Sequence, residues 1–139
     1  MNTAIQLTTA AWLLRGISSI PGQLKLSGGR LSFKAQGSGS AWKHQLRKLE
    51  RHARQPGLAD RLDGDQAALV FDLPLAELSV KFPWYYFSGG LIVKSAGSNY
   101  RFSFGRPSDG PGGRALEQLQ QIGTMRALGK AWKAALIKA

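Results

Sequence analysis

The sequence predicts an α+β domain in which an antiparallel sheet, or partly open barrel, carries one long helix. Two stretches alternate apolar and polar residues on both sides of a glycine turn, the period-two pattern of hairpins. The segments follow one another as strands, a helix, more strands and a terminal helix, without the βαβ alternation that builds a parallel sheet. A chain of 139 residues fits one domain, spanning 1–139, that buries roughly two-thirds of the surface its unfolded form exposes.

AAWLLRGI reads as a first strand. In QLKLSGGRLSF, Leu24, Leu26, Leu31 and Phe33 alternate with polar residues around Ser27-Gly28-Gly29, which predicts a hairpin. QGSGS, residues 36 to 40, reads as a flexible link because Gly and Ser leave the backbone unconstrained and bring nothing to bury. AWKHQLRKLERHARQPG then predicts a helix, capped by Ser40 and stopped by Pro56-Gly57. Trp42, Leu46, Leu49 and Ala53 fall on its apolar face, while Lys43, Arg47, Lys48, Arg51 and Arg54 occupy the rest. LADRLDGDQ, from Leu58 to Gln66, reads as an acidic turn region.

Strand character returns in AALVFDLPLAELSVKF, with Pro74 expected at a break or an edge. LIVKSAGSNYRFSFG repeats the hairpin pattern, with Leu91 and Val93 before the turn at Gly97-Ser98-Asn99 and Tyr100, Phe102 and Phe104 after it. PSDGPGG at 107 to 113 is a linker. The remainder predicts a helix over about 113–138, with Leu116, Leu119, Ile122, Met125, Gly129, Trp132 and Leu136 near one stripe. Glu117 comes early and Lys130, Lys133 and Lys138 late, as the helix dipole favours, while Gly123 and Gly129 favour a bend.

Between the two strand pairs, FPWYYF at 82 to 87 sets five aromatic rings in six positions. A strand there would place Phe82, Trp84 and Tyr86 on one face and Pro83, Tyr85 and Phe87 on the other, so a single sheet wall cannot bury them all. Trp84 and Tyr85 are the candidate exposed aromatic contacts, Tyr85 because its hydroxyl tolerates water. The rest is expected to cover the barrel end or pack on the inserted helix around Trp42.

Charge is the strongest compositional feature: 19 Lys and Arg against 8 Asp and Glu give a formal +11. A field of that sign attracts polyanions and speeds encounter without choosing among them. The absence of cysteine excludes disulfides, thiolate nucleophiles and sulfur-ligated zinc. His44 and His52, about two helical turns apart, do not chelate one ion unaided, and Asp60, Asp63 and Asp65 lack the spacing and closing glutamate of a calcium loop. No metal or cofactor site is expected. No nucleophile elbow, P-loop or dinucleotide fingerprint is present, so the reading is non-catalytic. MNTAIQLTTAAWLL lacks the basic start of a signal peptide, and no run approaches the roughly 18 apolar residues of a membrane-spanning helix. A cytoplasmic protein, free or peripheral at a membrane, is the expectation.

Two segments carry a family likeness. PGQLKLSGGRLSF resembles the second and third strands of GRAM and related pleckstrin-homology-like (PH-like) domains: a glycine, alternating leucines, a tight turn, then Arg-Leu and Phe. FDLPLAELSVKF with GGLIVKSAGSNYRFSF resembles their later strands, so the likeness covers roughly residues 10 to 35 and 67 to 105. The resemblance implies a bent antiparallel barrel of about seven strands capped by the C-terminal helix, in a class that binds phosphoinositides, other lipids, or proteins and peptides and is not enzymatic. Two features depart from that pattern. An insertion from 36 to 66 places an extra basic helix between strands 3 and 4, and the first hairpin carries only Lys25 and Arg30 as basic residues, without the phosphoinositide-binding pattern.

The combined expectation is a binding or adaptor module whose basic surface, Lys43, Arg47, Lys48, Arg51 and Arg54, meets anionic lipid headgroups or an acidic protein. Non-specific nucleic-acid binding is the alternative, and homo-oligomerisation is left open.

Overall fold

The computed structural model describes residues 6–15, 18–82, 89–95, 97–105 and 126–136. Its framework is one sheet of seven strands: β1 (Leu7–Arg15), β2 (Ser18–Ser27), β3 (Arg30–Gln36), β4 (Ala67–Pro74), β5 (Ser79–Lys81), β6 (Gly90–Ser95) and β7 (Ser98–Ser103). The spatial order is β4-β3-β2-β1-β7-β6-β5, and every neighbouring pair is antiparallel. β4 and β5 are the two edges, so hydrogen bonding does not close the ring.

Connectivity nevertheless bends the sheet. Only residues 75 to 78 separate β4 from β5, and a 3₁₀ turn, Leu75–Glu77, occupies most of them. Such a link reaches at most roughly 17 Å, whereas a flat sheet of seven strands would hold its edges roughly 29 Å apart. The edges must curl towards each other. Leu75 fixes the corner by donating its backbone N–H to Gly29 O at 3.0 Å.

Alternation supplies the core. Leu24, Leu26, Leu31, Phe33, Leu91, Val93, Tyr100 and Phe102 are buried as their parity predicts. Gly28 and Gly29 form the expected hairpin turn, both with positive φ (58° and 74°), between the paired Ser27 and Arg30. On β4 the register shifts opposite Phe33 and Lys34, a bulge that lets consecutive Val70 and Phe71 both turn inward. Phe71 then meets Tyr100 with ring centroids 4.8 Å apart, and Phe33 meets Phe102 at the same separation. Pro74 ends the edge strand β4, where its missing N–H costs no ladder bond.

The insertion between β3 and β4 holds two helices rather than one: α1 (Lys43–Ala53) and α2 (Leu58–Asp63). The segment read as an acidic turn is helical because Leu58, Ala59 and Leu62, spaced to share one face, are buried in the core. Glu50 of α1 accepts the Ala59 N–H at the start of α2 at 3.2 Å, which joins the two helices. The expected flexible link is also corrected. Ser40 donates its backbone N–H to Ser19 O at 3.0 Å and accepts the Ser19 N–H on its hydroxyl at 2.9 Å, so 36–40 is tied to β2. Gly39, at φ 57°, lies so close to Ser19 O and Pro21 that a Cβ would collide with both.

The last helix, α3, covers 126–136. Its Trp132 is fully buried, donates Nε1–H to Thr9 Oγ1 at 3.0 Å and stacks on Phe104. Gly129 is buried beside it, and the helix continues past that residue. Thr9 lies near the start of β1, whereas α1 bonds to the carbonyl of Arg15 at its end. Those points are six residues apart, roughly 20 Å along a strand, so α1 with α2 and α3 close opposite ends of the curled sheet. The predicted helical stretch from 113 to 125 and the aromatics Trp84 and Tyr85 lie outside the described residues.

Candidate anion-binding surface

α1 is held to the sheet by a few defined contacts. Leu46 and Leu49 are fully buried under it. At its start Gln45 accepts the Trp42 N–H on Oε1 at 2.8 Å and donates Nε2–H to Arg15 O at 3.3 Å, so one amide both caps the helix and docks it on β1. Ser40 is therefore not the cap, being engaged with β2. At the other end Ser98, in the β6–β7 hairpin, donates its hydroxyl to His52 O at 3.1 Å.

Trp42 departs from the stripe assigned to it from spacing. It occupies the N-cap with extended backbone (φ −85°, ψ 159°), off the helical lattice, and 67% of its surface is exposed. Its ring meets His44 edge-on at 5.6 Å. This large indole therefore stands in solvent at the end of the basic helix.

The five predicted cations do lie together. Lys43, Arg47, Lys48, Arg51 and Arg54 are all exposed along α1 and its C-cap. Lys43 reaches Asp63 of α2 at 3.9 Å, a loose, exposed pair. Among the described residues, none of Arg47, Lys48, Arg51 and Arg54 forms an ion pair. Arg54 ends the helix in the left-handed region (φ 54°, ψ 43°), a conformation that glycine adopts without strain. Gln55 N–H bonds back to Glu50 O at 3.2 Å and closes the cap.

Sequence reasoning missed two further cations beside this helix. Arg15 ends β1 with the parity of the buried Ala11 and Leu13, and so turns towards the sheet interior under α1. That parity was the available signal. Burial holds its pKa below the ordinary arginine value, with Tyr100 opposing, and its Nη2 is buried without a hydrogen-bond partner. Arg101 of β7 faces the same end of the sheet. A cleft of about 340 Å³ is lined by Arg15, His44, Gln45, Lys48, Asn99 and Arg101, and among the described residues no carboxylate lines it. The local field is positive: desolvation first, then Arg15, Lys48 and Arg51, hold His52 below the usual histidine range.

Among the described residues no group of three or more His, Asp or Glu is placed to hold a metal ion. No helix of the described residues is long and apolar enough to cross a membrane. No protein family, curated protein or solved structure matches the chain.

Proposed function

We propose that this chain is a non-catalytic binding module on a PH-like framework, and that α1 docks it on an anionic membrane surface. The observation that carries this reading is the exposed indole of Trp42 beside four exposed cations that form no ion pair among the described residues, all on one helix fixed at both ends. Tryptophan is suited to the headgroup boundary because its apolar body and N–H serve different layers. Basic residues near an anionic leaflet contribute about 1 kcal/mol each. A rigid helix presents them without a further ordering cost.

The PH-like assignment is supported by the strand order β4-β3-β2-β1-β7-β6-β5, the bend at residues 75 to 78 and a terminal helix packed on β1. An acidic protein would meet the same charges but leaves Trp42 without a specific role. Nucleic acid is the competing polyanion, and salt separates it. Co-sedimentation with phosphatidylserine-containing vesicles should retain a component at 0.5 M salt, where the Debye length is only about 4 Å, because Trp42 immersion is not screened. Binding to duplex DNA should collapse over the same range. Salt-resistant DNA binding with vesicle binding that vanishes would reverse the assignment.

A further inference from the structure

We propose that docking of α1 on an anionic membrane is coupled to proton uptake by His44 and His52, so that mild acid tightens it. The coupling deepens the reading of α1 as the membrane-facing helix and rests on it. Histidine is the side chain whose ordinary titration falls between pH 5 and 8, and both histidines of the chain lie on α1.

Helix geometry puts one of them at the middle of the exposed side. At 3.6 residues per turn, His44 and Arg51, seven residues apart, share a face that lies opposite the buried seam of Leu46 and Leu49. Arg47 and Lys48 flank His44 one turn on, and all four side chains are exposed. The His44 ring meets the exposed indole of Trp42 edge-on at 5.6 Å, so immersing Trp42 in the headgroup layer carries the imidazole there too. His52 is exposed at the other end of the helix, which the bond from the Ser98 hydroxyl to its carbonyl fixes in place.

The groups that face the two rings are cationic or neutral. Around His44 stand Lys43, Arg47 and Lys48 of α1 and Arg15 of β1, with Arg101 of β7, which has an interaction of its own. Around His52 stand Lys48, Arg51 and Arg54 of α1 and Arg15 of β1, with Tyr100 of β7 and Leu73 of β4. Among the described residues no carboxylate lines either of the clefts that these histidines border. Glu50, the acid of α1, is engaged with the Ala59 N–H. In the free protein His52 is held below the ordinary histidine range, by desolvation first and then by Arg15, Lys48 and Arg51. An anionic leaflet supplies the opposite field and favours imidazolium. Docked α1 then holds more protons than free α1, so affinity rises as pH falls through the docked-state pKa and levels off below the free-state pKa. Each imidazolium adds one charge at the surface, worth roughly fivefold in partition, so the two together set a ceiling of roughly 25-fold.

The test uses the full chain, at one ionic strength, with vesicles of phosphatidylglycerol in phosphatidylcholine, whose phosphodiester charge is constant from pH 5.5 to 7.5. Co-sedimentation of the wild type should tighten roughly tenfold as pH falls across that range. His44→Gln and His52→Gln, both at exposed positions, should each remove part of the gain, and the affinity of the double variant should change less than twofold. Circular dichroism at both pH values checks that each variant is folded. Calorimetry at pH 6.5 in two buffers of different ionisation enthalpy should show net proton uptake on vesicle binding by the wild type and none by the double variant. Vesicle binding that is equally tight at both pH values overturns the coupling and leaves the membrane reading standing. A double variant as pH-sensitive as the wild type overturns the assignment to these histidines. Absence of vesicle binding at every pH overturns the membrane reading and the coupling with it.

Discussion

Arg54→Gly should make the protein more stable and a weaker binder. Arg54 sits at φ 54°, ψ 43° at the C-cap of α1, where a residue with a Cβ is strained by roughly 1 kcal/mol and glycine is not. Glycine also loses more chain entropy on folding, so the net expected gain is about 0.5 kcal/mol. For a chain of this length that raises Tm by roughly 1–3 °C. The cap bonds survive, because both are made by backbone atoms. Binding moves the other way: one cation fewer at an anionic surface is worth about 1 kcal/mol, a roughly fivefold weaker partition. Urea melts and vesicle co-sedimentation on one preparation read both signs. Lower stability in the glycine variant would show that the Arg54 side chain is structural, and unchanged vesicle affinity would remove it from the binding face.

Trp42→Ala should leave stability within about 0.5 kcal/mol, since the ring is 67% exposed. Immersing half of its exposed area, of the order of 80 Å², is worth about 2 kcal/mol, so vesicle affinity should fall roughly 30-fold and its salt-resistant part should disappear; an unchanged salt-resistant component would rule out insertion. Gly22→Ala tests the core, because a Cβ there would lie 2.4 Å from Lys34 O and 2.6 Å from the Phe33 ring. Overpacking of that kind costs about 1–3 kcal/mol, and a urea midpoint equal to wild type would contradict the β2–β3 packing. His52 should titrate below 6.5, with the shift caused first by desolvation and then by Arg15, Lys48 and Arg51. Its neutral form is favoured on folding, so its contribution is present above pH 6.5 and is lost as pH falls through the lowered folded value. NMR titration of Lys48→Gln should move the midpoint part of the way back towards 6.5; no movement would contradict the field described around α1.

The sheet was legible because its residues obey simple parity. Leu24, Leu26, Leu31 and Phe33 alternate around a glycine pair, and Tyr100 and Phe102 do the same after Gly97. The insertion was legible as a basic helix but not in its attachments. Leu58 and Leu62 were hidden in acidic text, since a helix of six residues leaves too short a periodic trace to recognise. Trp42 was misplaced because helical spacing was extended to a cap residue whose backbone is not helical. Ser40 looked like a cap by type, yet its partner is Ser19, a contact 21 residues back along the chain that no local pattern encodes. The face of α1 could be read from one segment. The cleft joins Arg15, Lys48 and Arg101 from three segments: β7 pairs directly with β1, setting Arg101 opposite Leu14, and the docking of α1 on the Arg15 carbonyl adds Lys48, neither of which a local pattern encodes.

The central claim is that α1 forms the binding surface, and replacing Lys43, Arg47, Lys48, Arg51 and Arg54 together by glutamine tests it most directly. Leu46 and Leu49, which dock the helix, are untouched, and among the described residues the ion pair removed is the loose one from Lys43 to Asp63. The account predicts an unchanged circular dichroism spectrum and loss of co-sedimentation with phosphatidylserine vesicles at 0.1 M salt. A folded variant that sediments with those vesicles as well as the wild type does would contradict it.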